Sequence, residues 1–404
     1  MKICYLSSTY YKYRGGIETY TYRMAHELAK QGHQVHIITN CGDEREKEYK
    51  HPETGILVHN LNYRLSLRGI VHLHKIIPIE SLLYSYKVSR IIKELVSKHD
   101  IEIVESPDWL YEGLCYSMSK TIPIVMKLHG HNSIFKYYIN SNHVYTPISV
   151  RIGALLEKQL ALRADKVTSV SKYYASNISN LWGISEKRIE IIPNGVLLSN
   201  EIELVEKTEK TILFIGRIGK SKGVDLLFDV IPHIWQKIPE VKLVLIGDYE
   251  NNDERERIEQ ERKELLRDNR ILILASIEYN KLSEYYSSSD ICIFPSKFEN
   301  LGTVALEAMA HGKPVIVTDV GGFKEIISNG VNGYVIKPGD MQGLVNIIIH
   351  LLKDLKLRSE IGRNAFKSIE AGYSIEEIAS KTVKTYKDII IDYYNKKGLQ
   401  NHEG

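Results

Sequence analysis

Cysteine is scarce in this chain, with four residues in 404. Cys4, Cys41, Cys115 and Cys292 are widely separated and form no Cys-x-x-Cys pair, so neither a disulfide framework nor a zinc site is indicated. No run of roughly eighteen apolar residues is present to span a bilayer. The opening Met1-Lys-Ile-Cys-Tyr-Leu-Ser-Ser-Thr-Tyr10 is apolar too briefly for a signal peptide, so a cytoplasmic location is expected. The first strand–helix turn lacks Gly-x-Gly-x-x-Gly spacing, which argues against an NAD site. A convincing Asp-x-Asp metal motif is missing as well; Asp248-Tyr-Glu250 reads as a loop. No side chain stands out as a covalent nucleophile.

What is present is the composition of an ordinary soluble globular protein, 43% hydrophobic and 25% charged. Its length exceeds what one core usually organises, so two domains are expected. The net charge of +3 hides an asymmetry: residues 1–190 carry 25 basic against 18 acidic residues (+7), and the remainder 28 against 32 (−4). A basic N-terminal half suits an anionic acceptor or an anionic membrane surface, and equally a plain solvated face. No nucleic-acid partner is expected.

The most informative stretch runs from Phe294 to Gly322. Asp290-Ile-Cys-Ile-Phe294, ended by Pro295, and Pro314-Val-Ile-Val-Thr318 read as buried parallel strands, so the chain between them must cross over as a helix. That helix is expected to be capped at Thr303 and to turn Val304, Ala305, Ala308 and Met309 toward the sheet. Glu299 then falls in the loop before the helix, and Glu307 about one turn inside it. The backbone amides of Asn300, Leu301, Gly302 and Thr303 stand at the positive end of the helix dipole, beyond the C-terminal edge of a parallel sheet, where an anion is attracted. Two carboxylates beside a bare phosphate would repel it. They suit hydroxyl groups attached to that phosphate, which is the chemistry of a nucleotide-sugar. Alone, the pair could equally be two surface glutamates near a helix start.

Elsewhere the pattern alternates strand and helix. Lys2–Ser7, a helix Ile17–Ala29 stopped by Gly32, and Val35–Thr39 form a βαβ unit whose first turn contains Gly15 and Gly16. Residues 60–98 suggest an amphipathic basic helical region interrupted by Pro78. Strands follow at Ile101–Glu105 and Ile122–Leu128, the second delivering His129-Gly-His131. Helix 155–164, strand 166–170 and a helix opened by Ser171 complete the first half. Residues 191–210 make a linker. The second domain, 211–375, begins with Thr211–Ile215 and the loop Gly216-Arg-Ile-Gly-Lys-Ser-Lys-Gly223. There Arg217 and Lys222 emerge where a strand hands over to a helix and can converge on a phosphate, with Lys220 as an accessory. Further strands are expected at 241–246, 271–274 and 333–336, and 253–270 as a solvated helix.

Glu299-x7-Glu307, the small-residue helix, His311-Gly-Lys-Pro-Val315, the Gly321-Gly322 turn and the Gly216-Arg…Lys-Gly223 pattern together resemble family-4 glycosyltransferases of the group 1 type. These are retaining enzymes of the GT-B fold: α/β proteins with two Rossmann-like, doubly wound domains facing across a cleft. The resemblance covers nearly the whole chain, most specifically 211–340. It implies an N-terminal acceptor-side domain, 1–190, onto which a C-terminal helix at about 376–396 packs back. It implies that Glu299 contacts donor sugar hydroxyls, that Glu307 holds the ribose, and that Arg217 and Lys222 bind the donor diphosphate. Gly15 and Gly16 would meet donor phosphate, backbone near Ile277 would clasp the base, and His129 would sit beside the donor sugar, holding a hydroxyl. Asp108 and Trp109 look like acceptor-side residues. Asn300-Leu301 stands where many members carry Pro-Phe, which leaves the backbone role intact and the sugar identity open.

The implied activity is transfer of a sugar from a nucleotide-diphosphate sugar to a hydroxyl on a glycan, a glycolipid or another acceptor, in cell-envelope polysaccharide or glycoconjugate synthesis. The resemblance calls for no cofactor and no metal, and it leaves docking on a membrane surface open. Rival readings are a nucleotide-sugar epimerase or a phosphorylase of the same architecture, and a non-catalytic partner of an active transferase.

Overall fold

The computed structural model describes residues 1–10, 15–40, 47–62, 79–130, 148–199 and 209–398. Cys41, His131 and much of the 60–78 stretch lie outside them. The chain divides into two compact units, Met1–Gly195 with Ile375–Gly404, and Val196–Ser374.

The first unit is built on strands β1 (Lys2–Leu6), β2 (Gln34–Thr39), β3 (Glu48–Lys50), β4 (Leu57–Asn60), β5 (Ile103–Pro107), β6 (Ile124–Leu128), β7 (Lys166–Ser169) and β8 (Ile189–Ile191). They form one sheet in the order β3-β4-β2-β1-β5-β6-β7-β8, parallel except for the antiparallel β3–β4 pair. Strands covered on both faces by helices read as continuous apolar runs, and β5 and β6 are buried along their whole length. Helix Gly16–Lys30 returns the chain from β1 to β2. The last helix, Ile375–Lys396, places Ile375, Ile378, Tyr386 and Ile389 in the same core as Ile3, Tyr20 and Met24.

The second unit carries β9 (Thr211–Ile215), β10 (Lys242–Ile246), β11 (Ile271–Leu274), β12 (Ile291–Phe294), β13 (Val315–Thr318) and β14 (Tyr334–Ile336). Their order is β11-β10-β9-β12-β13-β14, and every pairing is parallel. The chain enters and leaves this unit side by side, where the Val196 amide donates to the Tyr373 carbonyl at 2.9 Å.

Two local expectations need correction. The crossover helix Thr303–Ala310 is capped by Gly302 at φ 89°, without a side-chain cap, and Thr303 is its first helical residue. A β-carbon at Gly302 would collide with the Phe323 ring, so both backbone and packing select glycine there. Val304 is only partly buried, whereas Leu306 and Glu307 are buried. In the charged stretch, helix Asn252–Glu261 is capped by the Asn251 side chain and gives way to a short 3-10 turn, Leu265–Arg267. Cys4 and Cys292 are buried free thiols, and no described helix is long and apolar enough to cross a membrane.

Candidate functional site

In an open parallel sheet, ligands collect at the C-terminal edge where the strand order reverses, because loops from neighbouring strands diverge there. In the second unit that point lies between β9 and β12. The loop leaving β9 contains Arg217 and the 3-10 turn Lys220–Lys222, and the loop leaving β12 contains Glu299. The structure brings them together. Lys222 Nζ lies 2.6 Å from Glu299 Oε2, Ser296 Oγ donates to the same oxygen at 3.4 Å, and the Lys297 amide donates to the Ser221 carbonyl at 2.9 Å.

A third loop fixes this arrangement from β13. The Gly322 amide donates to the Glu299 carbonyl at 3.3 Å. Gly321, at φ 58°, lies so close to the Glu299 carbonyl that any β-carbon would overlap it. The Gly321-Gly322 turn is therefore a support for the Glu299 backbone. Arg217 is exposed on this edge, Asn300 and Thr303 are partly buried, and Leu301 is buried.

Glu307 sits on the helix that grows from this loop and is 6% exposed. Tyr286 Oη donates to Glu307 Oε2 at 2.8 Å, and the Tyr286 ring stacks on His311, with centroids 4.9 Å apart. His311 Nδ1 faces the Glu307 carbonyl at 2.8 Å. A carbonyl only accepts, so Nδ1 carries the proton, and in the neutral ring Nε2 accepts from Ser283 Oγ at 3.0 Å. Sequence reasoning missed Tyr286 and its bracing by His311, which depend on tertiary stacking. Ile277 is placed apart from this group: it follows β11, two strands from β9. Its neighbour Ser276 donates its amide to Asp248 Oδ1 at 3.1 Å.

In the first unit the corresponding edge lies between β1 and β5. Gly15 caps helix Gly16–Lys30 in an extended conformation and its carbonyl accepts from the Thr19 amide at 3.1 Å. His129 follows β6. Its amide donates to Asp108 Oδ1 at 3.1 Å, while Asp108 Oδ2 accepts from the Gly130 amide at 3.2 Å and from Tyr174 Oη at 3.0 Å. Asp108 is fully buried, and burial pushes its pKa up to about 6. Its carboxylate is thus engaged in holding the His129 loop. Trp109 is partly exposed and opens a 3-10 turn in which Leu110 and Tyr111 have positive φ, a local strain of the kind stored at ligand loops.

The Tyr20 ring lies 4.6 Å from the His129 ring, and Tyr20 Oη donates to Glu105 Oε1 at 2.9 Å. Burial, reinforced by Lys127, holds the His129 pKa well below the ordinary imidazole value, so the ring is neutral at pH 7. Among the described residues no group of three or more His, Cys, Asp or Glu is placed to hold a metal ion.

Residues 14–200 match the Glycosyltransferase Family 4 model and residues 199–368 match Glycosyl transferases group 1. The chain is 29% identical over 391 residues to an uncharacterized glycosyltransferase of Methanocaldococcus jannaschii, covering 92% of this chain and 94% of that protein. It is 25% identical over 413 residues to the N-acetyl-alpha-D-glucosaminyl L-malate synthase of Bacillus anthracis, covering 96% and 98%. Among solved structures it resembles sucrose-phosphate synthase of Thermosynechococcus elongatus, with a TM-score of 0.79 at 22% identity over 97% of this chain and 100% of that one. It also resembles Anabaena HepE in complex with UDP-glucose, with a TM-score of 0.72 at 20% identity over 96% and 100%. At these identities the structural likeness speaks for the GT-B fold.

Proposed function

Because this chain belongs to the family-4, group 1 glycosyltransferases, we propose that it moves a sugar from a nucleoside-diphosphate sugar to a hydroxyl acceptor, with retention of anomeric configuration. The observation that carries this reading is the Lys222–Glu299 contact of 2.6 Å at the strand-order reversal. It sets a cation for phosphate and a carboxylate for sugar hydroxyls side by side, on loops with Arg217 and the first turn of helix Thr303–Ala310.

When the sugar–phosphate bond breaks, negative charge grows on the departing nucleoside diphosphate. Arg217, Lys222 and the helix N-terminus supply compensating positive charge; at similar sites one such donor contributes about 2.7–4 kcal/mol. These groups perform the charge compensation without calling on a metal. Glu299 orients the donor sugar, and Glu307, held by Tyr286, accepts from the ribose hydroxyls. His129, kept neutral, presents one ring nitrogen to a sugar hydroxyl. Backbone near Ile277 completes the donor contacts by family resemblance. The departing phosphate takes the acceptor's proton on the same face, which accounts for retention.

An anionic acceptor is favoured by the excess of basic residues over 1–190 and by the malate named in the Bacillus anthracis relative. The proposed setting is envelope or glycoconjugate assembly at the cytoplasmic face of the membrane.

A screen of UDP-, GDP-, ADP- and dTDP-sugars for slow donor hydrolysis tests the reading, with UDP-glucose first because HepE binds it. One nucleotide-sugar should be hydrolysed with an α-to-α or β-to-β outcome by NMR. Glu299→Ala and Lys222→Ala should each lower that rate at least about a hundredfold while leaving the circular dichroism spectrum unchanged. Unaltered rates in both variants would refute the site.

A further inference from the structure

The Asp248-Tyr-Glu250 segment leaves β10 and lies directly against the cationic loop that leaves β9. Ile218 donates its amide to the Asp248 carbonyl at 2.9 Å, and Glu250 donates its amide back to the Ile218 carbonyl at 3.0 Å, so the two loops are tied as a short parallel bridge. The Glu250 side chain then turns under the Lys220–Lys222 turn. Its Oε1 accepts from the Ser221 amide at 3.2 Å and from Ser221 Oγ. A β-carbon at Gly219 would sit 2.5 Å from the Glu250 carboxyl carbon, so the glycine is what lets the carboxylate come this close.

The preceding amide is occupied in the same way. Lys220 donates its amide to Glu254 Oε2 at 3.2 Å, and Glu254 is itself clamped by Arg257 at 2.9 Å, which also reaches Asp225 at 3.0 Å. Two successive amides of the turn are therefore already bound to carboxylates. Phosphate recognition by this loop falls to the Arg217 and Lys222 side chains, whose direction is set by the backbone those carboxylates hold. Burial raises the Glu250 pKa, and Arg217, Ser221 and Lys222 all act against that rise, which puts the carboxylate within the field of both cations.

We propose that Glu250 is a positioning residue for diphosphate binding: by accepting from Ser221 it fixes the loop from which Arg217 and Lys222 reach the ligand. This rests on the reading of that loop as the donor-diphosphate site. A carboxylate beside two cations also weakens the local positive charge, so a competing role as a resident counter-anion makes the opposite prediction for a neutral isostere.

The test is calorimetric titration with inorganic pyrophosphate, which needs no knowledge of the base or the sugar, on wild type, Glu250→Ala, Glu250→Gln and Lys222→Ala. Glu250→Ala removes the acceptor for both Ser221 donors and should weaken binding about tenfold. Glu250→Gln keeps a carbonyl oxygen for Ser221 and should bind within about threefold of wild type. Both variants should melt within a few degrees of wild type, separating a local effect on the loop from general destabilisation. Glu250→Ala binding like wild type, or Glu250→Gln binding more tightly than wild type, overturns the proposal while the loop reading stands. Wild-type affinity in Lys222→Ala, or no binding by wild type, overturns the loop reading and this proposal with it.

Discussion

The Tyr286 hydroxyl is the donor that reaches Glu307 Oε2, at 2.8 Å and 21 residues away in sequence. Removing it leaves a buried carboxylate oxygen without that donor and lets the side chain rotate away from the orientation in which its lone pairs face a ligand hydroxyl. The expected penalty is about 1–3 kcal/mol. In the proposed role Glu307 contacts the ribose, and such a contact would be made equally in ground and transition states, so the loss should appear in KM and not in kcat. Tyr286→Phe should therefore raise the donor KM about tenfold with kcat nearly unchanged, as read by initial rates over a range of donor concentrations. An unchanged KM would separate Tyr286 from ligand binding. The placement of Glu299 and Lys222 on strand-end loops and of Glu307 about one turn into the crossover helix was legible in the sequence. Tyr286 was not. It lies in helix Tyr279–Ser288, where a tyrosine has many structural uses, and its purpose emerges only when the fold stacks it on His311. Asp108 was legible as a residue leaving a strand end, but its full burial and its bonds to His129 and Gly130 depend on the packing of β5 against β6.

Parallel strands were readable as apolar runs because both faces of each sheet are covered, and β9, β10, β11, β12 and β13 lie where those runs stand. Caps were less readable. Thr303 is a sound local cap signal, yet the turn's positive φ and the Phe323 ring select Gly302 one position earlier. Histidines on β2 and β4 show another property invisible in a linear pattern. His36 Nδ1 and His59 Nε2 are 3.0 Å apart, with His99 beside both rings and Glu48 and Lys98 at the margin. Burial, then the neighbouring His59, His99 and Lys2, lower the His36 pKa to about 3. Burial lowers that of His59 to about 4, with Glu48 opposing and His99 and Lys98 assisting.

Both folded-state values lie below the unfolded value of 6.5, so the unfolded chain takes up these protons first. Their stabilisation is complete above pH 6.5 and is lost as pH falls toward 4 and 3. The slope is at most about 1.4 kcal/mol per pH unit for each group, reduced by solvent screening. Asp108 and Glu112, raised by burial to about 6 and about 7, act oppositely: their contribution is present below the unfolded carboxylate values and is lost as pH rises through 6 and 7. The two effects partly cancel in the wild type, so the informative quantity is a difference. His36→Gln/His59→Gln should keep a larger share of its pH 7 stability at pH 5 than wild type does, measured as urea midpoints at both values. Parallel pH profiles would mean that this cluster does not titrate with unfolding.

At the scale of the molecule, the first unit is discontinuous in sequence and the second is not. Val196–Ser374 is one uninterrupted piece, whereas Met1–Gly195 is completed by a segment beginning at Ile375. At the sequence level, family resemblance supplied both the helix at about 376–396 and the domain it packs on, and the side chains give the physical reason. Tyr386 Oη donates to Glu105 Oε2 at 2.6 Å, Thr385 Oγ1 to Glu190 Oε1 at 2.9 Å, and Lys381 Nζ to the Ile191 carbonyl at 2.7 Å. Burial already raises the Glu105 pKa against the help of Lys127, Tyr386 and Tyr20, so losing one phenol leaves a poorly satisfied acid in the sheet.

Ile375, Ile378, Tyr386 and Ile389 each bury a large apolar side chain in the β1–β5 core. At about 1.5–3 kcal/mol apiece, their loss matches the entire stability of a typical domain, about 5–15 kcal/mol. Deleting residues 375–404 should therefore unfold the first unit while the second, which contributes no residue from that segment, stays folded. Hydrogen exchange read by mass spectrometry distinguishes the outcomes: amides of β1, β5 and β6 should lose protection by several orders of magnitude, and those of β9, β12 and β13 should keep theirs. Retained protection in β1 and β5 would mean that the N-terminal sheet closes its own core and that the returning helix is dispensable to it.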